Sequence, residues 1–223
     1  MLIIFDLDDT LIKTTESIIP PKIRKSLAPI LKHSPELIED LIRLDSMSSS
    51  SSQALKEFIE IHEFDQSIAS LVHKELDAEK FEDIEIACHD QANETLRALS
   101  LEHTTCLVSR GDPKRQENKM KEAGIDQSCF HEIVFCEKSK LTDYKQLLKK
   151  FNYDQREALV CGDRVLYDLR PAKALGMTTV QFLQGRGKAS FDYYSDVDYK
   201  IIQLVEIFDI IEEIEGKNFL RKL

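Results

Sequence analysis

The second half of the chain alternates between short apolar runs and longer segments in which apolar residues recur at helical spacing. The short runs predict strands at residues 104–108, 133–136, 158–161 and 178–183. The longer segments predict helices at residues 90–100, 113–123, 141–151, 171–175 and, after a polar loop at 191–198, at 201–214. The opening run, Leu2–Phe5, is apolar throughout, as is typical of a strand buried on both faces. This order predicts an α/β fold with a Rossmann-like parallel sheet and helices on both faces.

The segment between Lys13 and about Asp83 has a different pattern. Its apolar residues recur at helical spacing, and helices are expected at residues 22–32, 35–45, 53–61 and 67–76. A polar serine run, Ser48–Ser52, is expected to link two of these helices. The chain is therefore predicted to form two domains: an α/β core from residues 1–13 and 86–223, and a small all-helical domain from residues 14–85.

The composition limits the kinds of partner. The chain has 223 residues, of which 42% are hydrophobic, so it is long enough to bury a sizeable core. Its 40 acidic and 30 basic residues give a formal net charge of −10, with no Lys/Arg-rich block, and we expect no nucleic-acid partner. Because an acidic surface repels anionic substrates, a phosphate-binding site in this chain needs a cation together with Lys or Arg.

No targeting feature is evident in the sequence. Met1 leads directly into strand-like residues without a basic and apolar leader, and no apolar stretch approaches a membrane-spanning length. The five cysteines show no C-x-x-C spacing, and Cys106 and Cys161 fall inside apolar strand runs. We expect a cytoplasmic protein with reduced thiols and no membrane partner. The sequence gives no indication of the oligomeric state.

Polar residues follow the predicted strands at the points where the strands end. Asp6 and Asp8 follow the first strand, Ser109 the second and Asp163 the fourth. The carboxyl ends of parallel strands form the edge at which open α/β sheets bind ligands. Asp6 and Asp8 share one side of an extended segment, and two carboxylates so close repel each other unless a cation lies between them. The pattern predicts a Mg²⁺ site that holds a phosphoryl group.

Lysines and a further carboxylate complete the set. Lys138 and Lys140 follow the third predicted strand, and the pattern does not distinguish which of them points inward to neutralise the carboxylates. Asp168 lies five residues after Asp163, on the same predicted loop. A carboxylate or hydroxyl at a strand end is also typical of a helix cap, and a lysine there of solvated surface. The joint occurrence of these residues at consecutive strand ends favours the functional interpretation.

These residues resemble the four signature motifs of the haloacid dehalogenase (HAD) superfamily of phosphatases and related phosphotransferases. The matching segments are Asp6-Leu7-Asp8-Asp9-Thr10-Leu11 for the first motif, Ser109 for the second, Lys138 for the third, and Gly162-Asp163 with Asp168 for the fourth. The Lys of the third motif is commonly followed by Pro, whereas this chain has Lys138-Ser139-Lys140. In such enzymes a helical insertion after the first motif forms a cap over the site, so the resemblance implies that residues 14–85 are a cap domain.

The resemblance implies a role for each matched residue. Asp6 would be the nucleophile that forms an aspartyl-phosphate, and Asp8 would protonate the leaving alcohol and then activate water. The residues implied to hold Mg²⁺ are Asp6, Asp8 through its backbone carbonyl, Asp163 and Asp168. The residues implied to bind the substrate are Thr10, Ser109 and Lys138. Arg110 is a further candidate, because it directly follows Ser109 and could meet a second anionic group on the substrate. The implied activity is hydrolysis of a small phosphorylated metabolite.

Other functions share parts of this pattern. A phosphomutase of the same family shares all the named residues, and a non-catalytic phosphate-binding or regulatory protein could retain the fold, although the intact carboxylates argue against it. A signalling receiver domain also places an acidic cluster and a Lys around Mg²⁺, but its acceptor Asp lies on a later strand and no helical insertion follows its first strand. Asp8 disfavours hydrolysis of a C–halogen bond, because the dehalogenating members of the family lack an acid at that position.

Overall fold

The computed structural model describes residues 1–77, 84–189 and 195–221. The chain divides into two compact units, one from Met1–Ile12 and Cys88–Leu223 and the other from Lys13–Ala87. Residues 191–194 of the predicted polar loop lie outside the described residues. No helix in the described part of the chain combines the length and the apolar composition needed to cross a membrane.

The Lys13–Ala87 unit is built from helices. Their bounds are α1 Ile19–Leu27, α2 Pro35–Met47, α3 Ser51–Ile61 and α4 Gln66–Asp77. Apolar side chains that recur at helical spacing form one buried cluster, which includes Leu27, Leu41 and Phe58. The predicted serine linker is shorter than expected, because Ser50 accepts a hydrogen bond from the backbone N–H of Gln53 at 3.1 Å and begins α3.

The other unit contains a six-stranded parallel sheet, and the predicted α/β fold is confirmed. Its strands are β1 Leu2–Phe5, β2 Thr104–Arg110, β3 Glu132–Cys136, β4 Ala158–Gly162, β5 Thr178–Phe182 and β6 Tyr199–Ile201. The strand order is β3-β2-β1-β4-β5-β6, and all neighbouring pairs are parallel. Strands β2 and β3 lie in succession on one side of β1, and strands β4, β5 and β6 lie in succession on the other side. The sheet therefore has its topological switch point between β1 and β4.

Helices flank this sheet. Their bounds are α5 Ala92–Glu102, α6 Pro113–Glu122, α7 Leu141–Phe151, α8 Arg170–Lys173 and α9 Ile207–Arg221. Alternate residues of the central strands, such as Ile4 and Val160, pack in one cluster with Tyr144 of α7. Ile3 and Phe5 lie on the opposite face of β1 and are also buried. The continuous apolar run of β1 is therefore explained by burial on both faces.

Strand β6 differs from the sequence prediction, which placed Ile201 at the start of the last helix. Ile201 instead pairs in parallel register with Phe182 of β5, and α9 begins at Ile207. A three-residue strand beside a polar loop is too short to show a periodicity of its own, and its pairing with β5 decides its conformation.

Candidate active site

Neighbouring strands bring polar residues to one edge of the sheet. Phe5 of β1 is in register with Leu107 of β2 and with Cys161 of β4. The backbone N–H of Asp6 donates to the carbonyl of Cys161 at 3.0 Å, so Asp6 leaves β1 beside the end of β4. Ser109 is the second-last residue of β2. Asp6 therefore lies at the switch point, with Ser109 on the neighbouring strand.

Buried carboxylates converge at this edge. Asp6, Asp163 and Asp168 each offer one oxygen, and these oxygens all lie within 4.8 Å of one another. The backbone N–H of Arg164 donates to Asp168 Oδ2 at 2.9 Å and fixes the loop after β4. Gly162 permits the close approach, since a Cβ there would lie 2.6 Å from the Cβ of Asp168. The fold thus brings together three of the sequence-predicted site residues.

The ammonium group of Lys140 contacts this cluster. Its Nζ lies 2.5 Å from Asp6 Oδ1 and 2.7 Å from Asp168 Oδ1, with only 3% of its side chain exposed. The carbonyl of Lys140 accepts a hydrogen bond from the N–H of Tyr144 at 2.9 Å, which fixes the lysine at the start of α7. Lys138 is exposed in the turn after β3. The expectation that Lys138 lies against the carboxylates is therefore corrected: Lys140 occupies that position.

The electrostatics of the cluster favour additional positive charge. Burial raises the pKa of Asp6 to about 7, and Lys140 opposes this rise while Asp168 and Asp8 add to it. Burial also raises the pKa of Asp163 well above its ordinary value, with Asp168 and Asp9 adding to the effect. Burial lowers the pKa of Lys140, but the carboxylates of Asp168 and Asp6 outweigh it, and the net shift is well upward. One ammonium group does not compensate the buried carboxylates.

Asp163 shows most directly that positive charge or hydrogen-bond donors are lacking at this cluster. Both of its carboxylate oxygens are buried, and neither has a hydrogen-bond partner within the described ranges. The hydroxyl of Thr10 is buried in the same way. A buried carboxylate without a partner is costly, and coordination to a cation would satisfy it. Carboxylate oxygens are the ligands that Mg²⁺ prefers, so this set of donors fits a divalent cation.

The carboxylate of Asp8 contacts two residues of α6. Lys119 Nζ lies 2.6 Å from Asp8 Oδ1, and Gln116 Nε2 donates to Asp8 Oδ2 at 2.9 Å. Gln116 Nε2 also lies 2.6 Å from the hydroxyl of Ser109. The side chain of Asp8 is 30% exposed and is not one of the three convergent carboxylates. The side chain of Asp8 therefore contacts α6 and is separate from the cluster of Asp6, Asp163 and Asp168.

Arg110 lies against an aromatic ring at the same edge. Its guanidinium carbon is 4.4 Å from the centroid of the Tyr167 ring, and that of Arg164 is 4.2 Å from the same centroid. Arg110 is exposed, whereas the neighbouring Ser109 is buried. Both guanidinium groups therefore lie against the same ring. Their residues directly follow Ser109 and Asp163 in the sequence.

A comparison with known protein families agrees with the motif order. The model of the haloacid dehalogenase-like hydrolase family matches residues 3–182, from β1 to the end of β5. The chain belongs to this family. The resemblance identified from the sequence motifs is thereby confirmed, and the matched segment contains all the HAD site residues described above.

Individual HAD proteins match over different lengths. The chain is 29% identical over 133 residues to glyceraldehyde 3-phosphate phosphatase of Pyrococcus furiosus, covering 57% of this chain and 55% of that protein. It is 34% identical over 115 residues to the protein of the same name from Methanocaldococcus jannaschii, covering 49% of each. The chain thus matches about half the length of these curated relatives. The chain is also similar to the solved structure of a predicted phosphoglycolate phosphatase from Haemophilus somnus 129PT. The TM-score is 0.66 at 20% identity, covering 94% of this chain and 96% of that one, which shows that the two share a fold.

Gln116 and Lys119 are polar residues at this HAD site that the sequence predictions did not include. Gln116 is 2% exposed and Lys119 is 7% exposed, and they lie three residues apart on the inward face of α6. Polar residues at helical spacing directly after Ser109 were the available signal. This signal does not by itself identify Gln116 and Lys119, because α6 is polar on nearly every side. Only the position of α6 beside β2 shows which of its polar residues face inward.

Proposed function

We propose that this protein is a Mg²⁺-dependent phosphomonoester hydrolase that acts on a small phosphorylated metabolite through an aspartyl-phosphate on Asp6. The observation that carries the proposal is the position of Asp6. Its buried carboxylate lies at the switch point of the sheet, in contact with Lys140 and within 4.8 Å of oxygens of Asp163 and Asp168. A nucleophile for phosphoryl transfer needs this combination of a fixed carboxylate and nearby positive charge.

In this proposal Asp6 and Asp163 hold Mg²⁺ with the backbone carbonyl of Asp8, and Asp168 assists from the position where it contacts Lys140. The unpartnered oxygens of Asp163 support this assignment, because they are buried and lack another ligand among the described residues. When bound, the cation neutralises the carboxylates and the non-bridging oxygens of the phosphoryl group, which allows two anionic partners to approach each other.

The chain's own groups perform the transfer in two steps. Asp8 enters the first step in its protonated form. A carboxylate oxygen of Asp6 then forms a bond to phosphorus, the bond from phosphorus to the ester oxygen breaks, and Asp8 gives its proton to the leaving alkoxide. In the second, Asp8 accepts a proton from water, which attacks phosphorus and releases inorganic phosphate and the free Asp6 carboxylate. The alcohol and the phosphate are the two products, and both Asp residues return to their initial state.

Ser109, Lys140 and Thr10 are proposed to hold the phosphoryl oxygens during these steps. Ser109 is fixed at the end of β2 by Gln116, and Lys140 is fixed at the start of α7. The hydroxyl of Thr10, which is buried and unpartnered in the described structure, is available to donate. Donors held in place before the reaction stabilise the charge that spreads over the phosphoryl oxygens in the transition state.

The relatives suggest where to begin the search for a substrate. The curated proteins that match half of this chain are named as glyceraldehyde 3-phosphate phosphatases. We include residues 14–85 in the proposal as a cap domain that contacts the alcohol part of the substrate, and residues 1–13 and 86–223 as the catalytic core. Arg110 is proposed to contact a polar group of that alcohol. A three-carbon phosphorylated sugar is the first substrate to test.

The test is phosphate release from a panel of phosphomonoesters that includes glyceraldehyde 3-phosphate, with Mg²⁺ or with EDTA, for the native protein and for Asp6→Asn. We expect metal-dependent release that the substitution abolishes. Formation of an isomeric phosphate ester without free phosphate would replace the proposal with a phosphomutase. Absence of both products from a folded, Mg²⁺-binding protein would contradict turnover and favour a phosphate-binding protein.

A further inference from the structure

The inward face of α6 carries polar side chains where a helix packed on a sheet normally carries apolar ones. Its buried residues are Gln116, Lys119 and Met120, of which only Met120 is apolar. Lysine and glutamine are rarely buried to this extent unless they have partners that require them. A leucine at either position would add apolar burial at no polar cost, so packing alone does not explain them.

The polar partners of these two residues converge on Asp8. Lys119 Nζ contacts Oδ1 at 2.6 Å, and Gln116 Nε2 donates to Oδ2 at 2.9 Å, so each carboxylate oxygen has its own donor. Gln116 Nε2 also lies 2.6 Å from Ser109 Oγ and 3.3 Å from the carbonyl of Arg110. The two donors therefore fix both oxygens of Asp8 and connect Asp8 with Ser109.

The backbone before α6 accommodates Gln116. Gly111 has a φ of +144°, and a Cβ at this position would lie 3.4 Å from Gln116 Cδ. Asp112 then accepts a hydrogen bond from the N–H of Arg115 at 2.9 Å and sets the start of the helix. The glycine and the cap thus place Gln116 one helical turn into α6, within reach of Ser109 and Asp8.

We propose that Gln116 and Lys119 are positioning residues that hold the carboxylate of Asp8 in the orientation required for proton transfer to the leaving group. This inference rests on the proposed function, in which Asp8 exchanges a proton with the leaving oxygen and then with water. Both residues act through Asp8, whose carboxylate oxygens they contact. A carboxylate held at both oxygens loses little rotational freedom on substrate binding, and small misplacements of an acid–base group cost large factors in rate.

The proposal predicts a dependence on the leaving group. An alkyl phosphate releases a strongly basic alkoxide. Transfer of its phosphoryl group to Asp6 therefore needs a proton from Asp8 for the leaving oxygen. 4-Nitrophenyl phosphate releases a stable phenolate and needs the proton far less. Loss of Asp8 positioning should slow the alkyl ester selectively, whereas loss of phosphate binding or of the fold should slow both esters.

The experiment measures the first-turnover rate of both esters by rapid quench, with Mg²⁺ present, for the native protein and for Lys119→Met, Lys119→Arg and Gln116→Leu. Glyceraldehyde 3-phosphate, or the alkyl phosphate turned over fastest in the panel, represents the alkyl esters. Lys121→Met is the matched control, because Lys121 is an exposed lysine on the same helix. Thermal melts establish that each variant is folded. Lys119→Gln carries the test if Lys119→Met does not fold, because Gln116→Leu also releases Ser109 and is expected to slow both esters.

For Lys119→Met we expect the alkyl ester to slow by about 10- to 100-fold and the nitrophenyl ester by less than about 3-fold. Lys119→Arg should restore most of the alkyl rate, and Lys121→Met should leave both rates unchanged. Equal slowing of the two esters, or no slowing of either, would overturn the positioning role. The proposed function fails separately, by absence of phosphate release from the native protein or by its persistence in Asp6→Asn.

Discussion

Replacing Lys140 with Met removes the ammonium group from the acidic cluster while keeping an unbranched apolar side chain of similar length. In the native protein Nζ lies 2.5 Å from Asp6 Oδ1 and 2.7 Å from Asp168 Oδ1, and the two carboxylate side chains are 9% and 3% exposed. The substitution therefore leaves two buried carboxylates without their shared cation. We expect it to destabilise the metal-free protein and to reduce phosphate release.

The size of the effect follows from the burial of the pair. Removing one partner of a buried ion pair costs about 3–5 kcal/mol, because the remaining charge is not compensated. Lys140 contacts two carboxylates, so we expect about 4–5 kcal/mol at about pH 8 with EDTA, or a fall of about 8–20 °C in Tm for a chain of this length. At about pH 5 the loss should be smaller, since protons then neutralise the carboxylates that the lysine no longer pairs.

Calorimetric melts of Lys140→Met and Lys138→Met, each with EDTA and with Mg²⁺, measure this effect. Lys138 is the matched control because it is an exposed lysine two residues away, and its substitution should change the free energy of unfolding by less than about 0.5 kcal/mol. Phosphate release should fall by at least about 100-fold in Lys140→Met only. Equal effects of the two substitutions, or a Lys140→Met protein with native stability and activity, would refute the reasoning.

The remaining predictions concern the same cluster. Asp163→Asn removes a buried charge with no hydrogen-bond partner among the described residues, so the metal-free Tm should rise while the increase in Tm on adding Mg²⁺ is lost; an unchanged Mg²⁺ effect would contradict the assignment. The pKa of Asp6, raised by burial to about 7 from its ordinary 3.8, means that the folded protein binds a proton that the unfolded chain has released. In EDTA the stability should therefore decline between about pH 4 and pH 7, by up to about 4 kcal/mol from this group, and Asp6→Asn should flatten the decline; a stability that rises over this range would contradict it. Gly162→Ala should lower stability by about 1–3 kcal/mol and weaken Mg²⁺ binding, since the new Cβ would lie 2.6 Å from the Cβ of Asp168. Gly216→Ala is the control, because its Cβ would meet nothing within 4 Å, and it should be neutral or stabilising in thermal melts. Equal effects of the two substitutions would count against the close approach of Gly162 and Asp168.

The sheet could be predicted from the sequence because its strands have strong local signals. Helices cover both faces of the sheet, so a central strand such as β1 is buried on both sides and is apolar throughout. The alternation of strands and helices after residue 104 can be read from the spacing of apolar residues. The three convergent carboxylates, Asp6, Asp163 and Asp168, were predicted as well, since each follows a strand or its loop. The sequence shows that each of these residues follows a strand. Because the carboxyl ends of parallel strands lie at the same edge of the sheet, these residues are close in space.

Other features depend on how elements pack, which local pattern does not record. Lys138 and Lys140 both follow β3, and only the start of α7 determines which of them is buried. Gln116 and Lys119 lie on a helix that is polar on nearly all sides, so its inward face was visible only beside β2. Strand β6 has three residues and owes its conformation to pairing with β5. In each case a tertiary contact, rather than a local preference, selects the structure.

The most direct test of the account is to stop the reaction of the native protein with acid within milliseconds of mixing with Mg²⁺ and an active ester, and to locate the phosphoryl group by mass spectrometry of peptides. We expect a phosphoryl group on Asp6, formed as fast as the alcohol is released and absent from Asp6→Asn. A phosphoryl group on another residue, or phosphate release by Asp6→Asn at the native rate, would contradict it.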